Sequence, residues 1–220
     1  MTHRPRWPWG ATCAITAIAA AAAWLALARA ADKPPWWNAS STSSAAVARA
    51  AQELEGAATA QLTALRNDQP WSVSLSQDDA NDWLAARLPV WARSRDLALP
   101  DQLRALSVAF TPEGILAGAS VRTPAGERCA WVLLQPRIDP EGLWLTASRA
   151  GIGRAELPLA QVLALLPDDP ATRDAVAVLE GRKPATTSPS LRVDGARTVR
   201  LLDIRPQNRR LELTASTGPQ

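Results

Sequence analysis

From Trp7 to Ala28 the chain carries no charged side chain, a run of 22 residues. As a helix rising ~1.5 Å per residue it reaches about 33 Å, enough to cross a bilayer core. His3, Arg4 and Arg6 precede the run, and Arg29, Asp32 and Lys33 close it. Trp7 and Trp9 stand at its start and Trp36 and Trp37 beyond its end; indoles favour the headgroup level of a bilayer. The pattern predicts a single-pass membrane protein with a cytoplasmic N-terminus and an extracytoplasmic main domain. The competing reading is a secretory signal peptide cleaved near Ala30, because Ala28-Arg29-Ala30 resembles a cleavage site and the run is rich in alanine. Length favours the span, since a signal-peptide core covers roughly 7–15 residues. The expected organisation is an anchor (or signal peptide) over residues 1–33, a tether over 34–44, and an α+β domain over 45–216.

The formal net charge of the 220 residues is +3, which invites a nucleic-acid reading. That excess lies wholly in residues 1–33, where Arg4, Arg6, Arg29 and Lys33 oppose Asp32. The remainder balances, but its last strands carry Arg192, Arg197, Arg200, Arg205, Arg209 and Arg210. This stretch could face anionic headgroups or an acidic partner, or simply be a solvated sheet face. Its exported position and its lack of interleaved aromatics argue against nucleic acid.

His3 is the only histidine. The exported part therefore cannot build a Ser-His-Asp, Cys-His or histidine-metal site, and no catalytic residue, metal or cofactor is expected. Cys13 falls in the uncharged run and Cys129 in an expected strand, where it reads as a small buried hydrophobe. Gly151-Ile152-Gly153 has Glu156 where a dinucleotide fingerprint needs a third small residue, so it reads as a tight turn. Carboxylates gather at Asp78, Asp79 and Asp82, at Asp139 and Glu141, and at Asp168, Asp169 and Asp174. The first group opens a helix, where acids complement the dipole; the others sit in or beside turns. An exported hydrolase using paired carboxylates is thus the least supported function.

Val47, Ala51, Leu54, Ala58, Leu62 and Leu65 recur at three- and four-residue steps, which predicts a helix from about Ser44 to Arg66. Trp71 to Leu75 alternates as a half-buried strand. Ser76 with Asp79 three residues on predicts a capped helix running to Pro89, followed by an irregular connection. Strands are expected at 103–111, 115–123, 128–135 and 143–149. Helical segments follow, opening at Leu157-Pro158 and resuming over 171–179, and then strands at 191–193, 199–204 and 211–214. Leu201 and Leu202 are adjacent, so that alternation is imperfect. The economical arrangement is one curved antiparallel sheet wrapped around one or two helices.

The segment Leu75-Ser76-Gln77-Asp78-Asp79-Ala80-Asn81-Asp82-Trp83-Leu84 resembles the strand-to-helix motif of YpmS-like bacterial membrane proteins and YceB-like lipoproteins. Asn81 matches the family asparagine and Leu84 its closing apolar residue, while Gln77 departs from the usual glutamate. Gly151-Ile152-Gly153-Arg154 leading into Leu157-Pro158 is similar to the family's turn before a second helix. The resemblance spans about residues 45–215. It implies a fold like that of tubular lipid-binding proteins, a curved sheet wrapped on a helix that leaves an apolar groove. Read from the residues alone, Asn81 ties its helix to neighbouring backbone groups. The expected function is a non-enzymatic, membrane-anchored domain that binds lipid or another apolar ligand. Trp71, Trp83, Trp91, Trp131 and Trp144 are the candidates for lining its groove. The alternative is an assembly protein docking an envelope partner through the helix over residues 44–66 or the basic strands.

Overall fold

The computed structural model describes residues 28–38, 44–64, 69–94, 103–123, 126–163, 170–193 and 197–219. All of the uncharged run except Ala28 lies outside them, and so does the expected span; among the described residues no helix is long and apolar enough to cross a membrane. Asp168, Asp169 and the link between the strands expected at 191–193 and 199–204 also lie outside, the latter over residues 194–196.

The fold is α+β. Helix α1 (Ala45–Thr63) leads to strand β1 (Trp71–Ser76), helix α2 (Gln77–Ala86) and the short helix α3 (Leu88–Ser94). Strands β2 (Leu103–Thr111), β3 (Gly114–Thr123), β4 (Gly126–Asp139), β5 (Gly142–Ile152) and β6 (Ala155–Leu157) follow. Helices α4 (Leu159–Leu163) and α5 (Pro170–Leu179) pack on β5, and β7 (Ser190–Arg192), β8 (Arg197–Gln207) and β9 (Arg210–Pro219) complete the chain.

The strands form two antiparallel sheets rather than the single one expected: β1-β9-β8-β7 and β2-β3-β4-β5-β6. The cause is the edge of β2. The Val108 N–H donates to Asn81 Oδ1 at 2.8 Å, and Asn81 Nδ2 donates to the Val108 carbonyl at 2.9 Å. The Phe110 N–H donates to Gln77 Oε1 at 3.1 Å, and the Phe110 carbonyl accepts from the Arg209 N–H at 2.9 Å. Two carboxamides and a hairpin tip thus occupy the places another strand would take. β1 pairs with β9 instead, from Trp71↔Ala215 to Ser76↔Arg210. Arg209 holds this junction in the left-handed region at φ 59°, and its carbonyl accepts from the Gln77 N–H at 3.0 Å.

Local signals explain the other departures. Pro89 does not end helical structure: it sits in the first turn of α3, where no N–H is required of it. Leu157 closes strand β6 by pairing with Ala150, and the helix starts after Pro158. β9 continues past the expected end at residue 214 to Pro219. A register shift between Leu201 and Asp203 accounts for the adjacent leucines, because it turns Leu202 outward at 38 % exposure.

The segment read as a tether lies on the five-stranded sheet over its described residues, 34–38. Pro34 is buried, and a Cβ on Gly118 would collide with the rings of Trp36 and Trp37. Only a glycine lets these indoles come this close to β3. Both rings are half-buried and meet edge-on, with centroids 5.9 Å apart. They cover the face that register assigns to Ala109, Leu116, Trp131 and Leu133.

Replacing Asn81 by Ala would strand the Val108 N–H and carbonyl in a site only 2 % exposed. At about 1–3 kcal/mol for each unsatisfied group, urea unfolding should show a loss of about 2–6 kcal/mol. Asp78→Asn, which removes only an exposed ion pair to Arg209, should change stability by less than about 1 kcal/mol.

Candidate functional site

Register places Trp71, Val73 and Leu75 of β1 on the same face as Ala215, Leu213 and Leu211 of β9, with Leu201 of β8 beside Ala215. This face and Val108, Phe110 and Ile115 of the other sheet border one apolar groove of about 750 Å³. Helix α1 roofs it with Leu54, Ala57 and Ala58, and α2 closes one side with Ala80, Trp83 and Leu84. A second cavity of about 460 Å³ continues along the sheet to Leu191 and Val199, sharing Ala58, Gln61, Val73 and Leu213 with the first. Thr186, Ser188 and Ser190 border its far end.

The roof is thinly held. Ala51 is the one fully buried residue among the described positions of α1, and the helix packs chiefly against α2. Its apolar stripe therefore spans open space instead of seating on the sheet. One polar clamp fixes it: Glu55 Oε1 accepts from Trp83 Nε1 at 3.0 Å and from Arg87 Nε at 2.9 Å, and Glu55 Oε2 accepts from Arg87 Nη2 at 2.6 Å. The Arg87 guanidinium holds the Glu55 carboxyl below its ordinary range, helped by the Trp83 indole and opposed by partial desolvation. The same fork raises Arg87.

The five tryptophans do not converge. Trp83 borders the larger cavity and Trp71 the smaller one, where its Nε1 donates to Thr217 Oγ1 at 3.1 Å. Trp91 lies on α3 at 44 % exposure beside Val90 at 47 %. Trp131 is buried on the other face of the five-stranded sheet, donating to the Gly153 carbonyl at 2.9 Å. Trp144 donates to Asp139 Oδ1 at 3.0 Å and lies under the Arg137 guanidinium. The aliphatic and alanine positions that make most of the groove wall escaped the sequence reading. Their period-2 pattern was visible, but nothing in it says which buried face stays unfilled.

Ser76 caps α2 by accepting from the Asp79 N–H at 3.1 Å, and its hydroxyl donates to Asp79 Oδ2 at 2.6 Å. Asn81, besides its bonds to Val108, donates to the Gln77 carbonyl at 3.0 Å and accepts from Ser107 Oγ at 3.1 Å. These residues assemble the junction beside the groove rather than line it. Asp78 meets Arg209 through both carboxylate oxygens, at 2.9 and 2.8 Å.

The six arginines of the last strands are also divided. Register puts Arg192, Arg200, Arg205 and Arg210 on the outer face of the four-stranded sheet, together with Asp203 and Glu212. Arg205 pairs with Asp203 at 2.6 Å, Arg209 is tied to Asp78, and Arg197 falls on the opposite face. Asp139 spends its Oδ1 on the Glu141 and Gly142 N–H groups and on Trp144, which together hold it below the ordinary carboxylate range, Trp144 contributing most. Asp174 pairs with Lys183. No cluster able to hold a metal ion occurs among the described residues. Burial pushes the Cys129 thiol up to about 12, which leaves it inert at neutral pH.

Compared with protein-family models, curated proteins and solved structures, the chain matches none.

The clamp has a definite pH sign. A carboxyl whose folded pKa is lowered contributes stability above its unfolded value of about 4.3, and that contribution is lost as pH falls through the folded value. The protection factors of α1 amides, which correct for the slower intrinsic exchange in acid, should therefore fall as pH drops through that folded value. Glu55→Gln should raise exchange at neutral pH and remove that step. Unchanged exchange in the variant would show that α1 is held elsewhere.

Proposed function

We propose that the protein is a membrane-anchored extracytoplasmic binding domain, not an enzyme, which takes an acyl chain or similar apolar ligand into the groove beneath α1. The supporting observation is the groove itself: about 750 Å³, walled by both sheets and roofed by a helix that touches little but its neighbour. Small-molecule sites run from about 300 to 1,000 Å³ and are mostly apolar. At about 0.8 kcal/mol per buried methylene, ten methylenes offset roughly 8 kcal/mol, the scale of a micromolar complex before ordering costs.

The finer architecture belongs to the same proposal. The two sheets act as one curved wall around α1 and α2, the arrangement that the resemblance to YpmS-like and YceB-like proteins implies. Gln77 suits that motif despite its missing charge, since its role at Phe110 needs only an acceptor oxygen. The uncharged run serves as the anchor and places the domain outside the cytoplasm.

Titration of the detergent-solubilised full chain with a fluorescent polyene fatty acid tests this reading. Saturable binding is expected, and Ala58→Trp, which puts an indole into both cavities, should weaken it at least tenfold without unfolding the protein. Binding that is absent, or indifferent to Ala58→Trp, would remove the ligand reading. If α1 then cross-links to a single envelope protein, the helix is a docking surface instead.

A further inference from the structure

The chain reaches the domain immediately after the uncharged run. The Arg154 N–H donates to the Arg29 carbonyl at 2.7 Å, one residue beyond Ala28. Gly153, at φ 56°, comes so close to residues 30–32 that a Cβ there would collide with the carbonyl oxygens of Ala30 and Asp32. Its own polar groups are fixed as well. The Gly153 N–H donates to the Cys129 carbonyl at 2.6 Å, and its carbonyl accepts from Trp131 Nε1 at 2.9 Å. Buried Pro34 and the indoles on Gly118 extend this seam, so no slack separates Ala28 from the β5–β6 turn.

The two ends of the five-stranded sheet differ in charge. Strand pairing brings Arg122 and Arg128 to the same end as the Gly153 turn, where Arg29, Lys33 and Arg154 also lie, against Asp32, Glu127 and Glu156, the last paired with Arg149. β5 runs 11 residues from the opposite end, about 35 Å at ~3.3 Å per residue. That far turn carries Asp139 and Glu141 against Arg137. Attraction to an anionic surface fades within about 10 Å, so only the end docked beside residue 28 would feel it.

We propose that the β5–β6 turn, with Gly153 and Arg154, is a bilayer-facing surface that rests on anionic lipid headgroups, held in that orientation by the Gly153 seam. This rests on the reading of Trp7–Ala28 as a retained span. A chain cut after Ala30 would lose the Arg29 carbonyl that Arg154 uses.

The test is site-directed spin labelling of the full chain in vesicles of 3:1 phosphatidylcholine and phosphatidylglycerol, on a Cys13→Ser background that leaves only the buried Cys129. A nitroxide at Arg154→Cys should collide severalfold less with a water-soluble nickel chelate than one at Glu141→Cys. Adding Gly153→Ala should return the label at 154 to the collision rate of the label at 141, while the protein stays in the vesicles. Equal collision rates at the two sites in integrated protein would overturn the proposal and leave the anchor standing. Protein that does not integrate and has a mature mass beginning at Ala31 would overturn both. Unchanged protection at 154 in pure phosphatidylcholine would overturn the anionic preference.

Discussion

Two buried carboxamides decide how this chain closes. Gln77 and Asn81 are 6 % and 2 % exposed, yet both sit on a helix rather than in a sheet. They face β2 and satisfy the outward groups of Val108 and Phe110, with the last contact supplied by the Arg209 N–H. An unpaired strand edge would have to be covered, paired or hydrated. Here a helix covers it with side-chain amides, and the sheet ends there. Everything else is arranged around that decision: β1 turns to β9, the β8–β9 hairpin brings its tip back to the junction, and two sheets form in place of one.

The same junction leaves the interior open. Because α2 is committed to the edge of β2, the apolar faces of both sheets are left to α1. That helix is short of bulk, with alanine at 51, 57 and 58, and it is clamped at Glu55 rather than seated by packing. A leucine-rich helix would sink onto the sheet and fill the space. Small residues and one exposed ion-pair clamp give a roof instead. The cost of leaving apolar wall uncovered is real at about 25 cal/mol per Å², and an apolar ligand would recover it.

Much of this was legible from sequence where the signal is local. The Ser76–Asp79 cap, the hairpin turns around Gly114 and Gly142, and the strand alternation are each set by residues a few positions apart. The link from Asn81 to backbone was legible as a role, because an amide on a helix beside a strand needs partners. The choice of partner was not. Periodicity identifies strands but not which edges meet, so one sheet and two sheets share a pattern. Arg209 in a left-handed turn carries no glycine or asparagine signature of its own. Trp36 and Trp37 follow the uncharged run at the spacing of an interfacial belt, and only the bare Cα of Gly118, 81 residues after Trp37, shows that they pack on the domain. Aromatic residues drew attention to the groove, whereas alanines, valines and leucines build most of it.

The direct measurement is native mass spectrometry of the full chain purified from the cells that express it. A groove that works as proposed predicts a stoichiometric amphiphile on the wild-type protein, absent from Ala58→Trp. A single ligand-free mass for both, from protein that remains folded, would contradict it.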